Sequence, residues 1–371
     1  MNGKRVNRKY RPAKEALCTM AQKKTFLRNP LILSTAILLT ILVCFLFLPG
    51  LNTASSTTGL IVHRNMGIRA IVDELYRNGT INRKWPALVT VSIIPKLHHI
   101  KPGRYTIAPG MSNFMLMYYL HAHRQDEVRI TLPEGLDLCK VAHILSKNLD
   151  FDSTAFMIAA SSPPLLMRRG IMAKNAEGYL LPGTYDFAWA STPEEAAGFL
   201  IGRFRHFYTD SLKSLATKRG LSETGVLTLA SIVESETWMD SEKNLVASVY
   251  LNRLKKKMRL QADPTVQYAL GGEARRLYFK DLAADSPYNT YRHAGLPPGP
   301  ICNPGAASIL AVLNPAESNY LYFVATGKGG HYFSESFAEH NANIRKHKSL
   351  HTATVRKEVS NQPPIVPDSG D

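Results

Sequence analysis

The sequence predicts an α+β protein with a single transmembrane helix, then a small α/β module, then a larger mixed α+β domain. Three observations carry that prediction. A basic segment precedes eighteen residues without a charge, Leu31 to Leu48. Period-two segments, Arg104-Tyr105-Thr106-Ile107 and Val128-Arg129-Ile130-Thr131-Leu132, lie among segments of helical period. With 371 residues and 45% hydrophobic content, the chain can bury two or three cores.

The charge is placed unevenly. Of the formal net charge of +16, residues 1–29 supply +8, since nine Lys and Arg side chains face Glu15 alone. The uncharged run that follows spans about 27 Å at 1.5 Å per residue, near the thickness of a bilayer's hydrocarbon core. A signal peptide is the competing reading, but its apolar region would be about 7–15 residues long. Ala54-Ser55-Ser56 is a weak cleavage site. The expectation is an uncleaved helix over 30–50 in the inner membrane, with the basic tail (1–29) cytoplasmic and everything beyond about residue 51 exported. Attraction of the tail to anionic lipid headgroups accounts for the charge without a nucleic-acid partner. Gly327-Lys328-Gly329-Gly330 is no phosphate loop, because the long glycine spacing and the following helix are missing.

In this topology only Cys139 and Cys302 are exported, and the expectation is two buried, unpaired thiols. Cys18 is cytoplasmic and Cys44 lies in the membrane. No Cys/His set has zinc spacing, and His98-His99 and His121-x-His123 read as surface histidines, so neither metal nor cofactor is expected.

Residues 51–59 are small and polar, a linker. Gly67 to Asn78 is a helix by the spacing of Ile68, Ile71, Val72 and Leu75, closed by Gly79, and another helix follows Ser112. With the two strands these make an α/β module over 60–132. Residues 133–215 form a mainly helical connection, where Thr192-Pro193-Glu194-Glu195 is a capping box. Over 216–348, helices cover Val226 to Thr237 and Ser241 to Lys256, and Asn303-Pro304 caps one that stops before Asn314-Pro315. Tyr320 to Ala325 and His331 to Phe333 pair as a hairpin. The polar end, 349–371, is expected to be disordered.

Chemistry is suggested where Leu229-Ala230-Ser231-Ile232-Val233-Glu234-Ser235-Glu236-Thr237 puts two carboxylates at the end of an almost wholly apolar helix. Such a helix is buried, and burial favours the protonated form a general acid needs. Alternatively both acids pass the buried part and meet solvent or a basic neighbour. Periodicity does not choose, since Glu234 continues the Leu227–Ala230 stripe and Glu236 the Leu229–Ile232 stripe. Downstream, Asn252-Arg253, Gln261-Ala262-Asp263-Pro264-Thr265, Tyr288-Asn289-Thr290-Tyr291 and Gly295-Leu296-Pro297-Pro298-Gly299-Pro300 supply the amides, hydroxyls and flat rings that a carbohydrate cleft uses; ordinary loops would supply them too.

Seven segments in order carry a family resemblance: Glu177-Gly178-Tyr179-Leu180-Leu181-Pro182-Gly183-Thr184-Tyr185, ASIVESET (230–237), VASVYLNRL (246–254), MRLQADPTVQYAL (258–270), SPYNTY (286–291), GLPPGPICNPG (295–305) and YLYFVATGKGGHYFS (320–334). Together they resemble the endolytic murein transglycosylase family over residues 60–348. The resemblance implies a membrane-bound enzyme with a LysM-like module (60–132) and a catalytic domain (216–348). It implies cleavage between N-acetylmuramic acid and N-acetylglucosamine inside nascent peptidoglycan strands, leaving a 1,6-anhydromuramic end and limiting strand elongation, in company with peptidoglycan synthases. The family's catalytic glutamate maps to Glu234. Glu236, Gln261, Asp263, Tyr288, Asn289, Thr290 and His331 map as cleft residues. The rival readings are a noncatalytic peptidoglycan-binding scaffold and a two-carboxylate muramidase.

Overall fold

The computed structural model describes residues 30–50, 53–123, 126–271, 275–327 and 329–346. The basic tail, Cys18 and the C-terminal segment expected to be disordered lie outside the described residues. The chain divides into two compact units between Asp126 and Glu127.

The first unit opens with α1 (Pro30–Phe47), a helix apolar and long enough to cross a membrane by length and composition. Its C-terminal end docks locally: Phe45 stacks on Trp85 at 5.0 Å and its carbonyl accepts from Asn113 at 3.0 Å. Strands β1 (Thr58–Val62) and β2 (Gly103–Ile107) pair antiparallel, with α2 (Ile68–Arg77) and α3 (Lys84–Ile93) between them and α4 (Asn113–Ala122) after them. Ser112 caps α4 by accepting from the Met115 amide. Ile71, Val72 and Leu75 of α2 are buried with Leu60, Tyr105 and Leu116, the core that their spacing predicts. The stretch expected to be a linker is partly folded, since Thr53 bridges Ile81 and β1 begins at Thr58.

The second unit opens with β3 (Glu127–Leu132), which pairs antiparallel with β4 (Gly183–Ala188). The strand expected to complete the first module therefore belongs to the second unit. Helices α5 (Leu138–Asn148), α6 (Ser153–Ala160), α7 (Pro163–Arg168) and α8 (Pro193–Phe207) share one core with everything through Leu313, so the region expected to be a connection is part of the same body. The Thr192–Glu195 capping box forms as predicted. Cys139 is a correction: it is unpaired but exposed on α5, whereas Cys302 is unpaired and buried.

After α9 (Asp210–Lys218), Ser222 caps α10 (Glu223–Glu236). Val226 through Val233 are all buried, because α11 (Asp240–Lys255), α12 (Asp263–Ala269) and α13 (Ala306–Leu313) pack around α10. The hairpin β5 (Tyr322–Ala325) with β6 (His331–Ser334) follows, and residues 337–346 are helical.

Asn303 does not cap α13, whose N-cap is Gly305. Its side chain ties three segments instead, accepting from the amides of Gly178 and Leu180 and donating to Leu136 O and Glu177 Oε1. Beside this knot Gly178 has φ +83°, and a Cβ there would lie 2.5 Å from Pro300 Cγ. Both features demand glycine, since the left-handed backbone disfavours a side chain and the proline ring cannot yield. Gly178→Ala is expected to destabilise the unit by about 2–4 kcal/mol. A drop in melting temperature of roughly 6–12 °C would register it; an unchanged melt would refute the close approach.

Candidate active site

The last turn of α10 sends its two acids into different surroundings. Glu234, with a side chain 6% exposed, is fully engaged. Its Oε2 accepts from the Gly305 amide at 2.9 Å and the Ser308 hydroxyl at 2.7 Å, at the start of α13. Its Oε1 accepts from Lys243 Nζ at 3.2 Å. The Lys243 side chain is 2% exposed and also meets Asp240 at 2.9 Å and Glu134 at 3.6 Å. Burial pulls the Lys243 ammonium down, but these carboxylates together hold it above its usual value. Glu134 is pushed up by burial and by the Glu234 charge, against Lys243. Glu234 thus clamps α10 to the N-terminus of α13 and pairs a buried cation, which is the basic-neighbour alternative the sequence left open.

Glu236 instead lines a cavity of about 330 Å³. Tyr250 of α11 donates its hydroxyl to Glu236 Oε1 at 2.6 Å, and among the described residues no hydrogen bond holds Oε2. Burial pushes this carboxyl up to about 7; the Tyr250 hydrogen bond and Arg253 pull it down, and Asp263 pushes it up. A carboxyl that keeps its proton near neutral pH beside an open cavity can donate it to a leaving oxygen.

Gln261 and Asp263 line the same cavity. Gln261 adopts φ +50°, a left-handed backbone unusual for a residue with a side chain and of a kind that clusters at functional sites. The Asp263 carboxylate accepts from the Tyr291 hydroxyl. The aromatic side of the cavity comes from Tyr322, Phe323 and Phe337.

The other cleft candidates lie elsewhere. Asn289 is fully buried; its side-chain amide donates to Leu282 O and Ala284 O, and its Oδ1 accepts from Tyr291 N. Thr290 accepts from Ala262 N and pairs with Thr265. Both shape the loops that carry Gln261 and Tyr291. Tyr288 packs on Tyr268 with ring centroids 4.9 Å apart. His331 binds Glu242 through Nδ1 at 2.7 Å and through its amide at 3.0 Å, fastening β6 to α11. Among the described residues, no three His, Cys, Asp or Glu side chains converge as metal ligands.

Sequence reasoning missed Lys243 and Tyr250, and it named Arg253 only within Asn252-Arg253 as one of several cleft-like polar stretches. Their signal was present, since Lys243, Val246, Tyr250 and Arg253 fall on one helical stripe and all are buried. Cations on an apolar stripe mark buried polar partners, which are carboxylates for Lys243 and backbone carbonyls for Arg253.

A profile of the YceG-like family matches residues 60–346, most of the chain. The chain belongs to the YceG-like family. This confirms the relationship read from the seven segments. The YceG-like chain is 37% identical over 235 residues to a protein of Bacillus subtilis (strain 168) named endolytic murein transglycosylase, covering 60% of this chain and 65% of that protein. It is 29% identical over 283 residues to a protein of the same name from Streptococcus pneumoniae (strain R6), covering 67% of this chain and 51% of that protein. The chain thus spans less than two thirds of the length of either relative. A crystal structure of a yceG-like protein from Listeria monocytogenes matches with a TM-score of 0.55 at 29% identity, covering 78% of this chain and 99% of that one.

Proposed function

We propose that this chain is a membrane-anchored lytic transglycosylase that cuts inside peptidoglycan glycan strands, with Glu236 as its proton carrier. The observation that carries this reading is the placement of Glu236, poised near neutrality on a cavity it shares with Gln261 and Asp263. The names of the two relatives support the substrate class. Mapping by motif put the catalytic role on Glu234, but three donors already occupy that carboxylate, and it does not line the cavity that holds Glu236.

In the proposed reaction Glu236 gives its proton to the oxygen between N-acetylmuramic acid and N-acetylglucosamine. The resulting carboxylate then takes the proton of the muramic 6-hydroxyl as that oxygen attacks C1, closing the 1,6-anhydro ring. Water is not consumed. The hydroxyl of Tyr250 steadies the transient carboxylate. A two-carboxylate hydrolase would use Asp263, on the same cavity, as its second acid, and the products distinguish it from the transglycosylase. Helix α1 serves as a retained inner-membrane anchor and the first unit as a LysM-like strand-binding module, which would leave the second unit in the periplasm beside the synthases. Mass spectrometry of the products tests the reaction. Anhydro ends, one water lighter than hydrolytic ends, are expected; hydrolytic ends alone would make the chain a muramidase, and no cleavage a binding scaffold.

A further inference from the structure

The cavity holds two polar groups that the proposed reaction leaves idle. Arg253 is 8% exposed, and its Nε and Nη1 donate to Leu321 O at 2.6 Å and Leu260 O at 2.7 Å. Among the described residues it forms no ion pair, and no hydrogen bond occupies its third nitrogen. His340 stacks on Tyr322 at 5.3 Å, and the Arg253 guanidinium lies 5.3 Å from the same ring. The buried Nδ1 of His340 has no hydrogen-bond partner among the described residues.

A buried cation without a counter-ion is costly, and so is a buried ring nitrogen without a partner. Two backbone carbonyls fix the Arg253 fork, so the remaining nitrogen is presented in one geometry. Nearby charge does not neutralise it at contact: the Glu236 carboxyl is held by Tyr250 and the Asp263 carboxylate by Tyr291. The missing partner of Arg253 is therefore a hydrogen-bond acceptor on a ligand entering the cavity. Its volume of about 330 Å³ is that of a small-molecule site. Resting on the glycan substrate proposed above, the choice narrows further. Hydroxyls and acetamido groups occur on both sugars of the strand, whereas the lactyl arm, with a carboxylate when free and an amide carbonyl when a peptide is attached, occurs on the muramyl sugar alone.

We propose that Arg253 and His340 form the subsite that recognises the lactyl arm of the muramyl residue, with the remaining Arg253 nitrogen donating to the arm's carbonyl oxygen. This sets which of the two alternating sugars can sit beside Glu236.

The test uses the full chain in detergent and free sugars without a glycosidic bond, so that nothing is turned over. Ligand-observed NMR titration compares N-acetylmuramic acid, its amide-capped N-acetylmuramoyl-L-alanine, and N-acetylglucosamine. The wild type is expected to bind N-acetylmuramic acid about tenfold more tightly than N-acetylglucosamine, with the capped sugar between them. Arg253→Gln, shown by its melt to be folded, should bring the preference within about twofold. If Arg253→Gln does not fold, His340→Ala must lower the preference instead. A preference that survives the folded variant, or its absence from the wild type, overturns the subsite. Should strand cleavage fail while the Arg253-dependent preference holds, the reaction falls and the subsite stands; cleavage without the preference gives the reverse.

Discussion

Glu236→Gln is expected to abolish strand cleavage while leaving the melting temperature of the protein near that of the wild type. The amide keeps the shape of a protonated carboxyl and can still accept the Tyr250 hydroxyl hydrogen bond now made at 2.6 Å. It can neither give an acidic proton nor take one from the muramic 6-hydroxyl. Removing a general acid–base group costs about 10²–10⁴-fold, and more where one residue serves both steps. Glu234→Gln should act differently, because its carboxylate is a structural clamp on Gly305, Ser308 and Lys243. It should lower the melt and reduce cleavage far less. Product release from purified strands, measured for both variants, decides between them. An inactive, folded Glu234→Gln beside an active Glu236→Gln would return the catalytic role to the acid that motif mapping indicated.

Replacing Lys243 by methionine should have the largest effect on stability. Three carboxylates meet this ammonium, but they are not equal. Glu134 and Asp240 are 49% and 74% exposed, so solvent can take over their charge. Glu234 is 6% exposed and would be left as a buried charge without its cation. Breaking such a pair from one side costs about 3–5 kcal/mol. Methionine fills most of the lysine volume, so lost packing adds little. Denaturant unfolding of Lys243→Met should show this loss, and adding Glu234→Gln should restore most of it, since the amide oxygen can still accept from α13. The coupling follows from the double-mutant cycle. Equal losses in single and double variants would mean that the ion pair does not hold this end of α10.

Much of this protein is written in its local sequence. The apolar run of α1, the stripe Ile68, Ile71, Val72 and Leu75, the Thr192–Glu195 capping box and the hairpin over 322–334 each depend on neighbours a few residues apart. Their period or cap chemistry is therefore visible before folding. The family is legible for the same reason, since seven ordered segments lie along the chain. The partner of β3 was not legible, because alternation shows that a strand exists but β4 begins 51 residues after β3 ends. The role of Asn303 was hidden likewise: a cap by its local dipeptide, it serves segments more than a hundred residues away. The two acids of α10 show the division most clearly. Sequence placed both at the end of a buried helix, where two residues of separation turn their side chains apart. Only tertiary structure brought Lys243 and the start of α13 to one, and Tyr250, Arg253 and Asp263 around an open cavity to the other. A carboxyl's readiness to give up a proton depends on the charges, donors and solvent within a few ångströms, and those neighbours come from distant parts of the chain.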